Sequence, residues 1–137
     1  MARVLFLDDS PARLRWARTN LGLGNHLDLA ETAGQCCELL RRTLSDLSPD
    51  ASEAYDLVFL DHDLGGETYV ETTRGNSGSS VVRWIVRHRP PVGRFVVHSL
   101  NTPAANGMVA DLRAAGYEAQ YINFMRLVET TPWVSPS

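Results

Sequence analysis

Two apolar runs in this chain end abruptly in acid: Val4-Leu5-Phe6-Leu7 meets Asp8-Asp9, and Leu57-Val58-Phe59-Leu60 meets Asp61-His62-Asp63. A third run, Phe95-Val96-Val97, ends in His98-Ser99, with Asn101 just beyond. Continuous apolar runs of this length belong to strands covered on both faces, as in a parallel sheet, and parallel sheets carry their ligand sites just outside the carboxyl ends of the strands. The three polar clusters are therefore expected to converge. Carboxylates packed together repel by on the order of 4 kcal/mol per pair at about 4 Å and an effective dielectric near 20. The chain has no lysine; its cations are thirteen arginines and four histidines, and none of the arginines adjoins these acids in sequence. A bound divalent cation is the simplest neutraliser.

Strand and helix signals alternate around these runs. Ser10-Pro11 supplies a cap and a first-turn proline directly after strand one, and Leu14, Ala17 and Leu21 form the inward stripe of a helix closed by Gly22 and Gly24. His26 to Ala30 reads as a short second strand, and Thr32 with Gln35 as a capping box for a helix whose stripe is Cys36, Leu39 or Leu40, and Leu44. The polar segment 45–53 is a surface connection to a strand from Tyr55 to Leu60. A Gly-rich loop from Asp63 to Gly78 leads to a helix through Val81, Val82, Ile85 and Val86. Strand four is expected over Arg94 to Val97, a helix from the cap Thr102 and Pro103 through Met108, Val109 and Leu112 to Gly116, and strand five over Tyr117 to Ile122. Asn123 to Val128 is short for a full helix. Residues 1–128 thus read as one domain and 129–137 as a loose tail. Five strands alternating with four helices in 137 residues imply a doubly wound, flavodoxin-like five-stranded parallel sheet in a three-layer α/β/α domain.

The net charge is −3, with no basic footprint for duplex nucleic acid or an anionic membrane. No apolar segment reaches the roughly 18 residues of a membrane span, and acid arrives by Asp8, so neither a transmembrane helix nor a signal peptide is expected and the chain is placed in the cytoplasm. Cys36 and Cys37 are neighbours on one helix, poor geometry for a mutual disulfide, and read as packing residues. Trp16 and Trp84 sit in helical patterns and read the same way.

Asp8, Asp9, Asp61 and Asp63 offer hard oxygen ligands suited to magnesium or manganese, and imidazoles at His62 and His98 extend the range to zinc. A metal there would polarise a phosphodiester oxygen and activate water, with Asp61 and His98 as the catalytic pair and His98 protonating the leaving oxygen. Ser99 and Asn101 are placed to hydrogen-bond non-bridging oxygens, and Arg74 in the Gly-rich loop is the candidate phosphate clamp. Competing readings stand beside these. Asp63 can be a turn residue before Gly65-Gly66, Arg74 part of a merely mobile loop, and His62 a side chain facing away from its neighbours and packed under the loop.

The acid pair after strand one, the aspartate after strand three and the hydroxyl after strand four resemble the receiver domain of two-component response regulators. The resemblance implies that Asp8, Asp9 and Asp61 hold magnesium, that Asp61 accepts a phosphoryl group, and that Ser99 and a lysine after strand five contact its oxygens. At that last place this chain has Asn123-Phe124. The strings Phe59-Leu60-Asp61-His62-Asp63-Leu64-Gly65-Gly66 and Val97-His98-Ser99-Leu100-Asn101, with Met108 and Gly116-Tyr117, resemble more specifically the receiver-derived family named for cyclic-phosphate processing in prokaryotic signalling and conflict systems. Three classes of function follow: a metal-dependent phosphoesterase acting on a cyclic phosphate or cyclic nucleotide, a phosphoacceptor receiver, and a catalytically silent receiver-like module. The expected partner is a small phosphorylated or cyclic nucleotide ligand, with neither duplex nucleic acid nor membrane.

Overall fold

The computed structural model describes residues 2–44, 54–64 and 75–129. Five strands, β1 (Arg3–Leu7), β2 (His26–Ala30), β3 (Tyr55–Leu60), β4 (Val92–Val97) and β5 (Ala119–Tyr121), alternate with five helices, α1 (Pro11–Asn20), α2 (Ala33–Arg42), α3 (Gly78–His88), α4 (Thr102–Ala114) and α5 (Phe124–Glu129). All the strands pair in parallel, in the order β2-β1-β3-β4-β5. This is the doubly wound α/β/α sandwich of the flavodoxin type that the sequence implies.

The apolar runs lack alternation because both faces of the central strands are covered. Leu5, Leu7, Val58, Leu60, Phe95 and Val97 pack against Cys36 and Leu40 of α2, Val81 and Ile85 of α3, and Met108 and Leu112 of α4. Val4, Phe6, Leu57, Phe59 and Val96 pack against Leu14 and Ala17 of α1 and Phe124 and Leu127 of α5. No helix among the described residues is long and apolar enough to cross a membrane.

Several boundaries differ from expectation, each for a local reason. Helix α2 stops at Arg42, where the Thr43 hydroxyl donates to Leu40 O at 2.7 Å, so Leu44 falls past the stripe and is exposed. The capping box at Thr32 is half formed: its hydroxyl accepts from Gln35 N, but the Gln35 side chain accepts from Glu31 N, one residue before the cap. Strand β4 begins two residues early, at Val92, paired with Tyr55. Strand β5 is only three residues long, and the six residues after Asn123 form a fifth helix that runs through Glu129, into the expected tail. The cap of α4 is Asn101 rather than Thr102; its side chain accepts from Ala104 N, with Pro103 in the first turn. The 45–53 connection and residues 130–137 lie outside the described residues.

Helix α3 begins against the end of β3. Ser77 caps it in a full capping box with Ser80, and Gly78 N donates to His62 O at 3.0 Å. A Cβ on Gly78 would lie 2.2 Å from Asp61 O and 2.8 Å from His62 Cα. Backbone at that distance has no side-chain freedom with which to yield, so Gly78→Ala should cost about 2 to 3 kcal/mol of unfolding free energy in denaturant titration. An unchanged midpoint would contradict the close approach.

Candidate functional site

Strand register builds the site. Leu7, Leu60 and Val97 lie side by side at the ends of β1, β3 and β4, and the ladder runs one step further: Asp61 N donates to Leu7 O at 3.1 Å and His98 N to Leu60 O at 3.0 Å. Successive strand residues alternate faces. Asp8, Asp61 and His98 therefore fall on the same side as Phe6, Phe59 and Val96, the side covered by α1 and α5.

Asp8 is completely buried and fully engaged. Its Oδ1 accepts from Ser10 N at 2.9 Å, and its Oδ2 accepts from His98 Nε2 at 3.0 Å and Arg13 Nη1 at 3.4 Å. Ser10 in turn caps α1, which carries Arg13 back over the strand end, 4.0 Å from Asp61 Oδ2 and with its guanidinium 4.7 Å from the centre of the Phe124 ring. Arg13 is the member of the site that sequence reasoning missed. The signal was there in its place as third residue of a helix whose cap directly follows the acid pair, since the first turn of such a helix lies over the strand end.

One carboxylate oxygen from each of Asp8, Asp9 and Asp61 lies within 4.8 Å of the others. Their repulsion is resolved unequally. Burial alone would raise Asp8, but the hydrogen bond and charge of His98, with help from Ser10 N–H and Arg13, outweigh it and hold Asp8 below the usual carboxylate range. For Asp61 burial wins: with the charge of Asp8 added, it is pushed up to about 6 against the opposing pulls of His98, Arg13 and His62 N–H. Arg13 at 4.0 Å is too distant from Asp61 to offset both.

The structure does not bring Asp63 into this cluster. Asp63 Oδ1 accepts from His62 Nδ1 at 3.0 Å and from Asn101 Nδ2 at 3.3 Å, while His62, alternating away from Asp61, is wholly buried with its Nε2 unpartnered. Ser99 and Asn101, expected to meet phosphoryl oxygens, build the entry to α4: Ser99 Oγ accepts from Asn101 N at 3.0 Å, and Asn101 caps the helix. Arg74 lies outside the described residues. The general-acid role expected of His98 does not suit its surroundings. Its ring is wholly buried and stacked on Phe6 (centroids 4.8 Å apart, planes at 11°), with Phe59 and Phe124 around it. Nε2 is spent on Asp8 and Nδ1 has no partner, so neither nitrogen is presented at the sheet edge; the geometry assigns His98 to holding Asp8. On α2, burial pushes both thiols up, Cys37 to about 11, so neither offers a thiolate near neutrality.

The profile of the cyclic-phosphate processing receiver domain matches residues 3–114, from the first residue of β1 to the last of α4, and so takes in Asp8, Asp9, Arg13, Asp61 and His98. The chain belongs to that family.

Solved structures with the same fold are receiver domains. The non-phosphorylated HemR receiver domain from Leptospira biflexa is 16% identical, with 100% of this chain and 98% of that one covered and a TM-score of 0.59. A CheY-like response regulator receiver domain protein from Methanospirillum hungatei is 21% identical (95% and 90% covered, TM-score 0.57), and the response regulator TrrA from Thermotoga maritima, solved in complex with Mg(2+)-BeF, is 23% identical (94% and 95% covered, TM-score 0.55). No curated protein matches the chain. In this receiver domain the place after β5, where the resemblance implies a lysine, is put to other uses. Asn123 Oδ1 accepts from Met125 N at 2.9 Å at the start of α5, and Phe124 supports Arg13. Among the described residues, the arginine beside the acids comes from α1, as Arg13.

Proposed function

We propose that this domain is a metal-dependent phosphoesterase that acts on a cyclic phosphate or cyclic nucleotide at the edge formed by Asp8, Asp9 and Asp61. The observation that carries the reading is the convergence of three carboxylates within 4.8 Å, with too little positive charge around them to keep Asp61 in its usual range. An all-oxygen donor set of this kind fits magnesium or manganese, and a structure of the same fold, TrrA, was solved with Mg(2+)-BeF. Zinc, with its preference for nitrogen and sulfur, fits less well, because both imidazoles are engaged elsewhere. Bound there, a divalent cation supplies Lewis acidity to a phosphoryl oxygen and to an attacking water.

The chain's own residues prepare the place. His98 and Ser10 N–H fix the Asp8 carboxylate and keep it ionised, and His62 N–H, 2.9 Å from Asp61 Oδ1, orients Asp61. Asp9, partly exposed, is the acid nearest solvent. The family's description favours ester processing over a stored aspartyl phosphate, and the place after β5 holds Asn123 where the receiver resemblance implies a lysine.

Incubation with a panel of cyclic mononucleotides, cyclic dinucleotides and 2′,3′-cyclic-phosphate RNA ends, with magnesium or manganese, should give turnover with at least one substrate. That turnover should be lost on chelation and in Asp8→Asn. A hydroxylamine-labile phosphoryl group formed on Asp61 from acetyl phosphate, without turnover of any ester, would make the domain a phosphoacceptor instead. Neither activity in a folded protein that binds the metal would leave the silent-module reading.

A further inference from the structure

We propose that Arg13 is the phosphoryl-oxygen ligand of this site, held on the Asp8–Asp61 pair until a cation takes over their charge. The inference rests on the metal-dependent reading above and adds to it the group that recognises the substrate. Among the described residues, Arg13 is the arginine in contact with Asp8 and Asp61, beside the wholly buried His98. Its grip there is loose. The 3.4 Å and 4.0 Å contacts use a single nitrogen, Nη1, and are long beside the roughly 2.8 Å of a well-made guanidinium–carboxylate pair. A guanidinium has five N–H donors in a planar fork. Only Nη1 has a protein acceptor among the described residues, which leaves Nε and Nη2 unspent beside the acids.

Phe124 is what keeps this loosely bonded group in place. Its ring lies 4.7 Å from the guanidinium carbon, a cation–π contact that restrains the fork without consuming its donors. The side chain is 19% exposed, against 1% for Asp8 and 5% for Asp61, so it is the charged group through which solvent, and a ligand arriving from solvent, meets the buried part of the cluster. When Asp8 and Asp61 are neutralised by a cation, the guanidinium loses its carboxylate partners among the described residues while its restraint remains. Its fork then matches two oxygens of one phosphoryl group, in a monoester or a cyclic diester alike.

The test uses the full chain, calorimetry and two probes, Mg2+ and then inorganic phosphate added to the Mg2+-saturated protein. Wild type, Arg13→Met and Arg13→Lys are compared, with melting temperatures as the check on folding. Arg13→Met should bind Mg2+ as tightly as wild type or several-fold more tightly, because it loses an internal competitor, and should bind phosphate at least tenfold more weakly. Arg13→Lys, which keeps the charge and also serves if the methionine variant does not fold, should recover part of that loss. Phosphate affinity within twofold of wild type in a folded Arg13→Met protein that still binds Mg2+ overturns the assignment of Arg13 alone, as does a wild type that binds Mg2+ but takes no phosphate. A wild type that binds no Mg2+ overturns the metal reading, and this inference with it.

Discussion

Asp61→Asn should make the metal-free protein more stable at pH 8, by up to about 3 kcal/mol, and should abolish stabilisation by magnesium. Asp61 is pushed from the usual 3.8 up to about 6 by burial and by Asp8. Each pKa unit corresponds to about 1.4 kcal/mol of preference for the protonated form in the fold. The sign follows from which state holds the proton more readily. Below about pH 3 Asp61 is protonated folded or unfolded, and its burial carries no electrostatic penalty. As pH rises from there through 6 the unfolded chain ionises first, so stability is lost over that window and the full penalty stands above it. An asparagine is neutral throughout and keeps an oxygen for His62 N–H. The gain should therefore be near zero at about pH 3 and plateau above about pH 7, as measured by chemical denaturation with a chelator present. Magnesium should raise the melting temperature of wild type only, as a ligand of the native state must, and less so as pH falls below about 6, where it competes with the proton on Asp61. Equal magnesium gains in both proteins, or no pH dependence of their difference, would remove Asp61 from the site.

The second large effect concerns His98. A general acid at the sheet edge would be removable with loss of turnover and an intact fold. The observed histidine should not be. His98→Ala deletes a ring stacked on Phe6 and flanked by Phe59 and Phe124, and strips the completely buried Asp8 of its shortest side-chain hydrogen bond. Truncating a buried aromatic ring and uncovering a buried carboxylate each cost several kcal/mol, so the combined loss should be about 3 to 5 kcal/mol at neutral pH. His98→Gln, which can return a donor to Asp8 without the ring, should recover part of the stability. In that variant the magnesium-dependent rise in melting temperature should persist but shrink, because Asp8 is less firmly oriented. A stability change under about 1 kcal/mol in His98→Ala would contradict the buried position.

Much of this was legible locally. A strand buried on both faces must be apolar throughout, and the first residue past the sheet must be able to meet water or a ligand. The points at which Leu7 and Leu60 give way to Asp8 and Asp61 therefore mark the edge of the sheet and its ligand side without any coordinates. Cap-plus-proline signals at Ser10-Pro11 and beside Pro103 locate α1 and α4 on the same grounds. The second was read one residue late, because Asn101 and Thr102 are both good caps ahead of a proline, and the choice between them was made by the turn at Ser99 and the bond from Asn101 to Asp63.

By itself, then, the sequence determined the doubly wound sheet, its ligand-bearing edge and the acids that gather there, because each depends on apolar runs and end signals within a few residues. The tertiary structure alone decided how their charge is balanced. His98 meets Asp8 across 90 residues only because β1, β3 and β4 align at Leu7, Leu60 and Val97, and parity along the strand then places His98 on the Asp8 side while His62 goes to the other. Arg13 reaches the acids only because α1 folds straight back over β1, and Asp63 leaves them because His62 and Asn101 engage it first. Charge interactions fall off over a few ångströms, and a spacing along the chain does not contain that distance until strand register and helix return have set it.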